Sequence, residues 1–158
     1  MIGVKNIFKS FNGGTVEVLK DLSLEIEDGG FTVILGASGS GKTTLMNVVS
    51  GLERPDSGEV FYGETNICAL NDKELTLFRK ENIGFIFQKY YLMPHLSVES
   101  NVRLGADLVK NKEYLSVIKA VGLSEKLKRK PCELSGGEQQ RVSVARALAK
   151  KPNVLFLD

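Results

Sequence analysis

The spacing of apolar residues changes along the chain and predicts two kinds of strand. Residues 2–8 and 16–27 alternate apolar and polar side chains, which is typical of antiparallel strands with one exposed face. Residues 31–35 are continuously apolar apart from Thr32, and this predicts a strand buried on both faces. Residues 154–157 form a similar apolar run and predict another buried strand.

Helical spacing is concentrated in the second half of the chain. Residues from about 98 to 127 predict helices that are broken at Asn111 and at Gly122, and a further helix is expected to begin at Gly136 and to end before Pro152. The other predicted elements are a helix over 42–50 ended by Gly51, a turn over 55–58, a strand over 59–62, a helix capped by Asn71 with Glu74, and a strand over 83–87.

Length, charge and cysteine usage exclude several classes of protein. The 158 residues match one domain, and the formal net charge of +2 gives no reason to expect a nucleic-acid partner. Cys68 and Cys132 form no CxxC pattern, so neither a disulfide framework nor a zinc site is indicated, and a reducing cytoplasmic compartment fits. No run reaches the ~20 apolar residues of a membrane span, so a membrane role is expected to act through a partner.

A glycine-rich loop lies between the predicted strand 31–35 and the predicted helix 42–50. It fits the pattern GxxxxGK[ST], whose backbone N–H groups bind phosphate oxygens while the lysine reaches the β- and γ-phosphates and the hydroxyl reaches Mg²⁺. A Gly/Ser-rich turn with an exposed lysine is the alternative, which the flanking strand and helix disfavour. The candidate nucleotide-binding residues are Gly36, Ala37, Ser38, Gly39, Ser40, Gly41, Lys42, Thr43 and the adjoining Thr44.

A second glycine-rich helix start follows about ninety residues later. Ser135 and Glu138 can form a capping box, which explains these two residues but not the glycines Gly136 and Gly137 between them. Each glycine lowers helix propensity by about 1 kcal/mol relative to alanine, so their presence indicates that something approaches the backbone there. An anion is the group that a helix N-terminus favours.

These motifs together resemble those of the ATP-binding subunit of an ABC transporter. The resemblance covers essentially the whole chain: an aromatic residue at Phe11, the phosphate loop, Gln88 after strand 83–87, the signature LSGGEQQR over 134–141, and the apolar strand ending in Asp158. Residues 82–88, followed by Leu92-Met93-Pro94 and Asn101-Val102, are similar to exporters of the macrolide-efflux and lipoprotein-release type.

The resemblance implies an α/β fold of the P-loop NTPase class. A mostly parallel core sheet, an N-terminal antiparallel β-subdomain and an inserted helical subdomain are expected, in a C-terminally incomplete cassette. In approximate residue numbers, 1–70 would hold the β-subdomain and the phosphate loop, 70–135 the helical subdomain, and 134–158 the signature helix and the strand that ends in Asp158.

The resemblance also implies an activity, cofactors and partners. Two head-to-tail copies would bind two ATP molecules, each between Lys42 of one copy and the Ser135–Glu138 segment of the other, and would hydrolyse them to drive a membrane-embedded permease from its cytoplasmic face. Phe11 would stack on adenine, and Thr43, Gln88 and Asp158 would meet Mg²⁺, with Gln88 also contacting the attacking water. Lys42, Gln88 and Asp158 are therefore the candidate catalytic residues.

Several alternatives stay open at this stage. The family's catalytic Glu and switch His have no counterpart in the sequence, so the chain could bind nucleotide without turnover as a truncated subunit. An ABC ATPase acting on DNA or ribosomes is disfavoured by the absence of a coiled coil or tandem cassette, and a kinase or GTPase leaves 134–141 unexplained. Phe11 could instead belong to the core, residues 90–93 could be a docking patch or core, and the basic run 126–130 could meet lipid headgroups or be a solvated face. His95 is expected in a surface loop.

Overall fold

The computed structural model describes all 158 residues, and these form two compact units, Met1–Thr76 and Leu77–Asp158. No helix in either unit combines the length and the apolar character needed to cross a bilayer.

The first unit is built on a four-stranded antiparallel sheet. Its strands are β1 (Ile2–Phe11), β2 (Val16–Ile26), β3 (Ser57–Tyr62) and β4 (Thr65–Asn66), in the order β2-β1-β3-β4. β1 is central, and its residue Ile2 pairs with Ile26 of β2 and with Tyr62 of β3. Ile2, Val4 and Ile7 of β1 are buried, as the alternating pattern predicts for a sheet with one covered face. The two predicted antiparallel strands are thus confirmed.

The first helix begins and ends close to where the sequence predicts, and the second begins at its predicted cap. Helix α1 (Lys42–Val49) is followed by Gly51, which adopts a φ of 69° and donates its N–H to the carbonyl of Val48. Helix α2 (Asp72–Asn82) is preceded by Asn71, whose side-chain oxygen accepts the N–H of Glu74 at 3.0 Å. The carboxylate of Glu74 in turn accepts the N–H of Asn71 at 2.9 Å, which completes a capping box.

The predicted buried strand over residues 31–35 is wrong for this structure. The segment belongs to no sheet, and Phe31 and Leu35 are each 87% exposed. An apolar run shows that burial would be favourable, but a strand forms only where another strand supplies hydrogen bonds. Partners of a parallel strand come from distant parts of the sequence, so the run itself carries no information about them. The sheet of the first unit is completed by antiparallel pairs that leave this segment out.

The second unit combines a two-stranded parallel sheet with a helical core. β5 (Ile83–Ile86) pairs with β6 (Val154–Leu157) from Ile83↔Val154 to Ile86↔Leu157. The predicted burial of β6 is only partly correct, because Phe156 is buried whereas Leu157 is 56% exposed. Side chains of a strand point to the two faces of the sheet, so an apolar run predicts burial without showing which elements cover those faces.

Three helices and two short 3-10 helices form the rest of this unit. The helices are α3 (Val98–Leu108), α4 (Tyr114–Ala120) and α5 (Gly136–Leu148), and the 3-10 helices are Ser124–Lys126 and Pro131–Glu133. Both predicted helix breaks are confirmed: the Asn111 side chain donates to the carbonyl of Ala149 at 2.9 Å, and Gly122 has a φ of 73°. The shared core consists of Val98, Val102, Ala106, Ile118, Leu123, Leu134, Val142, Ala145 and Ala149.

Candidate functional site

The glycine-rich loop of the first unit has a backbone that only glycine tolerates at its end. The N–H of Ser40 donates to the carbonyl of Ala37 at 3.2 Å, and Gly39 and Gly41 have φ values of 78° and 90°. A Cβ at Gly41 would lie 2.9 Å from Val18 Cγ1, so both conformation and space require glycine there. The result is a tight loop that leads directly into the N-terminus of α1.

The Lys42 ammonium lies over this loop. Its Nζ donates to the carbonyls of Gly36 and Ala37 at 3.0 and 2.7 Å. No carboxylate forms an ion pair with Lys42, and the first turn of α1 holds no acidic residue. The positive charge of Lys42 therefore adds to the positive end of the α1 dipole without internal compensation, an arrangement that favours an anion.

Two further candidates of the first unit are accessible to solvent. Thr43, the second residue of α1, is exposed. Phe11 ends β1 opposite Val16 and is 37% exposed, with Lys9 Nζ 5.3 Å from the centre of its ring. The alternative that Phe11 is a core residue is therefore wrong, and part of its ring surface is available to a planar ligand.

The segment Ser135–Glu138 of the second unit, which we call the signature turn, begins α5 with the predicted capping box. The Glu138 carboxylate accepts the N–H of Ser135 at 2.8 Å and its O–H at 2.9 Å, both at Oε2. The return bond, from the N–H of Glu138 to Ser135 Oγ, is longer at 3.4 Å. The carboxylate thus fixes both polar groups of Ser135.

Nothing within the chain requires glycine at positions 136 and 137. Neither residue has a positive φ, and both are exposed. A Cβ added at Gly136 would meet the Tyr90 hydroxyl at 3.6 Å, and one at Gly137 would meet Arg141 Nη1 at 3.9 Å, which are ordinary van der Waals distances. Neither backbone strain nor packing within the chain therefore explains the two glycines, and their backbone is open to solvent.

The sequence analysis missed a residue that acts on the signature turn. The Lys126 ammonium forms an ion pair with Glu138 Oε1, although the sequence places Lys126 in a basic run. This hydrogen bond, with those from Ser135, lowers the pKa of Glu138 from 4.5 to about 2. In the same run Arg129 pairs with Glu133 at 2.8 Å. Lys126 and Glu138 are 12 positions apart and meet only after the chain folds back, so sequence spacing gives no signal for this pair, whereas Arg129 and Glu133 are an i,i+4 pair.

Gln88 and Asp158 lie at one edge of the parallel sheet. β5 and β6 end at the paired residues Ile86 and Leu157, and the N–H of Asp158 donates to the carbonyl of Ile86 at 3.0 Å. Gln88 follows two residues after the end of β5 and is exposed, as is Asp158. No group of three acidic, His or Cys side chains forms a metal centre. The amide oxygen of Gln88 and the carboxylate of Asp158 are nevertheless ligands that suit Mg²⁺, which keeps several waters and takes further oxygens from phosphates.

The segment after Gln88 is held by two side chains that the sequence analysis did not single out for this purpose. The Arg146 guanidinium of α5 donates to the carbonyls of Tyr91 and Tyr90 at 2.7 and 2.8 Å. The buried Asn101 side chain accepts the N–H of Met93 at 2.8 Å and donates to its carbonyl at 3.1 Å. Residues 90–93 combine exposed and half-buried side chains, so they are neither wholly core nor wholly surface, and His95 lies in an exposed loop as expected.

Comparison with known proteins places the chain in a family. The ABC transporter family model matches residues 19–158. The chain is 46% identical over its full length to the putative ABC transporter ATP-binding protein MG065 homolog of Mycoplasma pneumoniae, of which it spans 35%. It is 44% identical to the lipoprotein-releasing system ATP-binding protein LolD of Aquifex aeolicus, of which it spans 72%.

A solved structure agrees with the fold expected from the motifs. The dimeric structure of MJ0796, a bacterial ABC transporter cassette, matches the whole chain with a TM-score of 0.89 and 37% identity, and the chain covers 73% of it. The chain spans about a third of the first curated relatives it matches and nearly three quarters of LolD. The match across residues 19–158, together with the LolD and cassette similarities, shows that the chain belongs to the ABC transporter family and has the ABC ATPase fold.

Proposed function

We propose that the chain is the ATP-binding subunit of an ABC transporter and that it binds Mg·ATP at the loop Gly36–Thr43. The support is electrostatic and geometric. Lys42 brings a positive charge with no acidic partner to the N-terminus of α1, and the loop adopts backbone angles available to glycine. Phe11 is proposed to stack on the adenine.

Two copies are proposed to bind each ATP between the phosphate loop of one copy and the signature turn of the other. The observation that carries this step is the pair of exposed glycines, Gly136 and Gly137, which neither packing nor φ requires. Two exposed backbone N–H groups beside a fixed serine at a helix N-terminus suit a phosphate that arrives from outside the chain. The match to a dimeric cassette structure supports the association of two copies.

Hydrolysis is proposed to use the edge of the parallel sheet. Thr43, Gln88 and Asp158 would hold Mg²⁺, which when bound neutralises charge on the β- and γ-phosphate oxygens. Gln88 would orient the attacking water, while Lys42 would stabilise negative charge on the phosphates. A second matched structure of the same cassette is a post-hydrolysis state bound to ADP and Pi, which supports ATP hydrolysis as the proposed reaction.

The proposed partner is a membrane-embedded permease, and the chain would be peripheral to the membrane through that contact. The export class is supported by the similarity to lipoprotein-releasing subunits. In this arrangement the transported molecule contacts the permease, so recognition of that molecule is proposed to lie outside this chain.

Calorimetric titration of ATP in the presence of Mg²⁺ tests the nucleotide site. We expect Lys42→Ala to weaken binding about 10- to 150-fold, the equivalent of one hydrogen bond to a charged group at about 1.5–3 kcal/mol. Lys20→Ala is the matched control, because Lys20 is an exposed lysine of β2 outside the loop. Equal affinity of Lys42→Ala and the control would contradict the assignment of the loop as the ATP site.

A further inference from the structure

The signature turn contains an electrostatic conflict. It offers N–H groups and a hydroxyl to a phosphate, yet the Glu138 carboxylate lies 2.9 Å from Ser135 Oγ. That carboxylate is ionised in neutral solution, as a glutamate of ordinary pKa also is, and the hydrogen bonds from Lys126 and Ser135 lower its pKa further, to about 2. A phosphate that approaches Ser135 therefore meets a negative charge at close range, and like charges repel.

The Lys126 ammonium resolves this conflict. It forms an ion pair with Glu138 Oε1, whereas the N–H and O–H of Ser135 donate to Oε2. One carboxylate therefore binds both Lys126 and Ser135. The Glu138 side chain is 15% exposed and that of Lys126 is 41% exposed, so water screens the pair less than it screens a fully solvated one. A second cation, Arg141 on the same helix, has its Nη1 3.9 Å from the Cβ position of Gly137.

The position of Lys126 is set by the helical core and does not depend on a mobile loop. Lys126 ends the 3-10 helix Ser124–Lys126, and its N–H donates to the carbonyl of Leu123 at 3.0 Å. Leu123 is fully buried, and its own N–H donates to the carbonyl of Ile118 at 3.1 Å. Core packing thus brings this one lysine of the basic run to the signature turn.

We propose that Lys126 is a positioning residue for ATP binding in trans: its ammonium neutralises and anchors the Glu138 carboxylate, so that Ser135 and the amides of Gly136 and Gly137 can donate hydrogen bonds to the phosphate of a nucleotide held by a second copy of the chain. This inference rests on the proposed function, because it concerns the same composite site. It assigns Lys126 a role through Glu138, without contact to the nucleotide.

Sedimentation velocity with Mg²⁺ and a slowly hydrolysed ATP analogue measures the effect on association. We expect Lys126→Met to weaken nucleotide-dependent self-association about fivefold or more, the effect of one unit charge at about 4 Å in a water-like dielectric. Lys126→Arg should associate as the unaltered chain does. Adding Glu138→Gln to Lys126→Met should recover most of the loss, because glutamine keeps an acceptor for Ser135 and removes the charge.

A purely structural ion pair predicts a different pattern. In that case the double variant would associate no better than Lys126→Met, since neither restores the pair. Lys128→Met, two positions away in the same exposed run, is the matched control and should not alter association. Carbon-13 NMR titration of the Glu138 carboxyl gives a second readout, in which Lys126→Met should move its pKa upward from about 2.

The outcomes separate this inference from the proposed function. If the unaltered chain associates with nucleotide but Lys126→Met associates equally well, or the double variant is not rescued, the inference about Lys126 is wrong and the composite site stands. An unchanged Glu138 titration in Lys126→Met would also overturn it. If the unaltered chain binds the analogue by calorimetry yet does not associate, the composite site fails, and the inference fails with it.

Discussion

Replacing Gly137 by alanine should make the chain more stable and its nucleotide-dependent association weaker. Gly137 is the second residue of α5, it is exposed, and its φ is not positive. The added Cβ would meet no atom of the chain closer than Arg141 Nη1 at 3.9 Å. The substitution therefore introduces no internal strain, and the two effects have separate causes.

The gain in stability comes from backbone entropy. Glycine is about 0.8–1.0 kcal/mol less favourable than alanine within a helix, and the benefit at the first turn is at most of that size. For a chain of this length about 1 kcal/mol corresponds to a rise of about 2–4 °C in Tm. The loss of association comes from a methyl group placed where a phosphate must approach the backbone. Losing one such charged hydrogen bond costs about 1.5–3 kcal/mol, or tenfold and more in affinity.

Urea unfolding gives the first quantity and sedimentation velocity with a slowly hydrolysed ATP analogue gives the second. Gly105→Ala is the contrasting control, because a Cβ at this glycine of α3 would lie 2.2 Å from the carbonyl oxygen of Arg146 and should destabilise the chain. A Gly137→Ala variant that is less stable than the unaltered chain would refute the description of the turn. A stabilised variant that associates normally would refute the argument that the glycines admit a phosphate.

Two other predictions concern stability. Asn101→Ala should lower the free energy of unfolding, measured in urea, by about 2–4 kcal/mol. The buried amide satisfies the backbone N–H and carbonyl of Met93 and also donates to the carbonyls of Leu96 and Ser97. A loss below about 0.5 kcal/mol would contradict this prediction. Because the pKa of Glu138 is lowered, its ionised form stabilises the fold above pH 4.5, and this contribution is lost as the pH falls toward about 2. Glu138→Gln should therefore reduce the loss of stability at acidic pH in a profile of unfolding free energy against pH. An unchanged acidic part of the profile would count against the ion pair.

Local patterns in the sequence predicted most of the fold because their causes are local. The capping boxes at Asn71 and Ser135 and the helix stop at Gly51 depend on residues within a few positions, and all three are present in the structure. Alternation along residues 2–8 predicted β1 for the same reason. The phosphate loop and the signature turn were recognisable as motifs because their glycines lie at fixed spacing.

Pairings between distant residues could not be predicted in this way. Residues 31–35 are apolar, but nothing in their pattern indicates a pairing partner, and in the structure they form no strand. Lys126 was indistinguishable from the other lysines of its basic run until folding placed it against Glu138. Arg146 likewise has no sequence relation to Tyr90 and Tyr91, whose carbonyls it contacts. These features depend on tertiary contacts that spacing alone does not encode.

The central claim is that ATP is bound between the phosphate loop of one copy and the signature turn of another. Mixing Lys42→Ala chains with Ser135→Arg chains tests it directly, because each variant alone has two damaged sites whereas the mixed pair has one intact site. Sedimentation velocity with Mg²⁺ and a slowly hydrolysed ATP analogue should show little association of either variant alone and clear association of the mixture. A mixture that associates no more than its separate components would contradict the composite site.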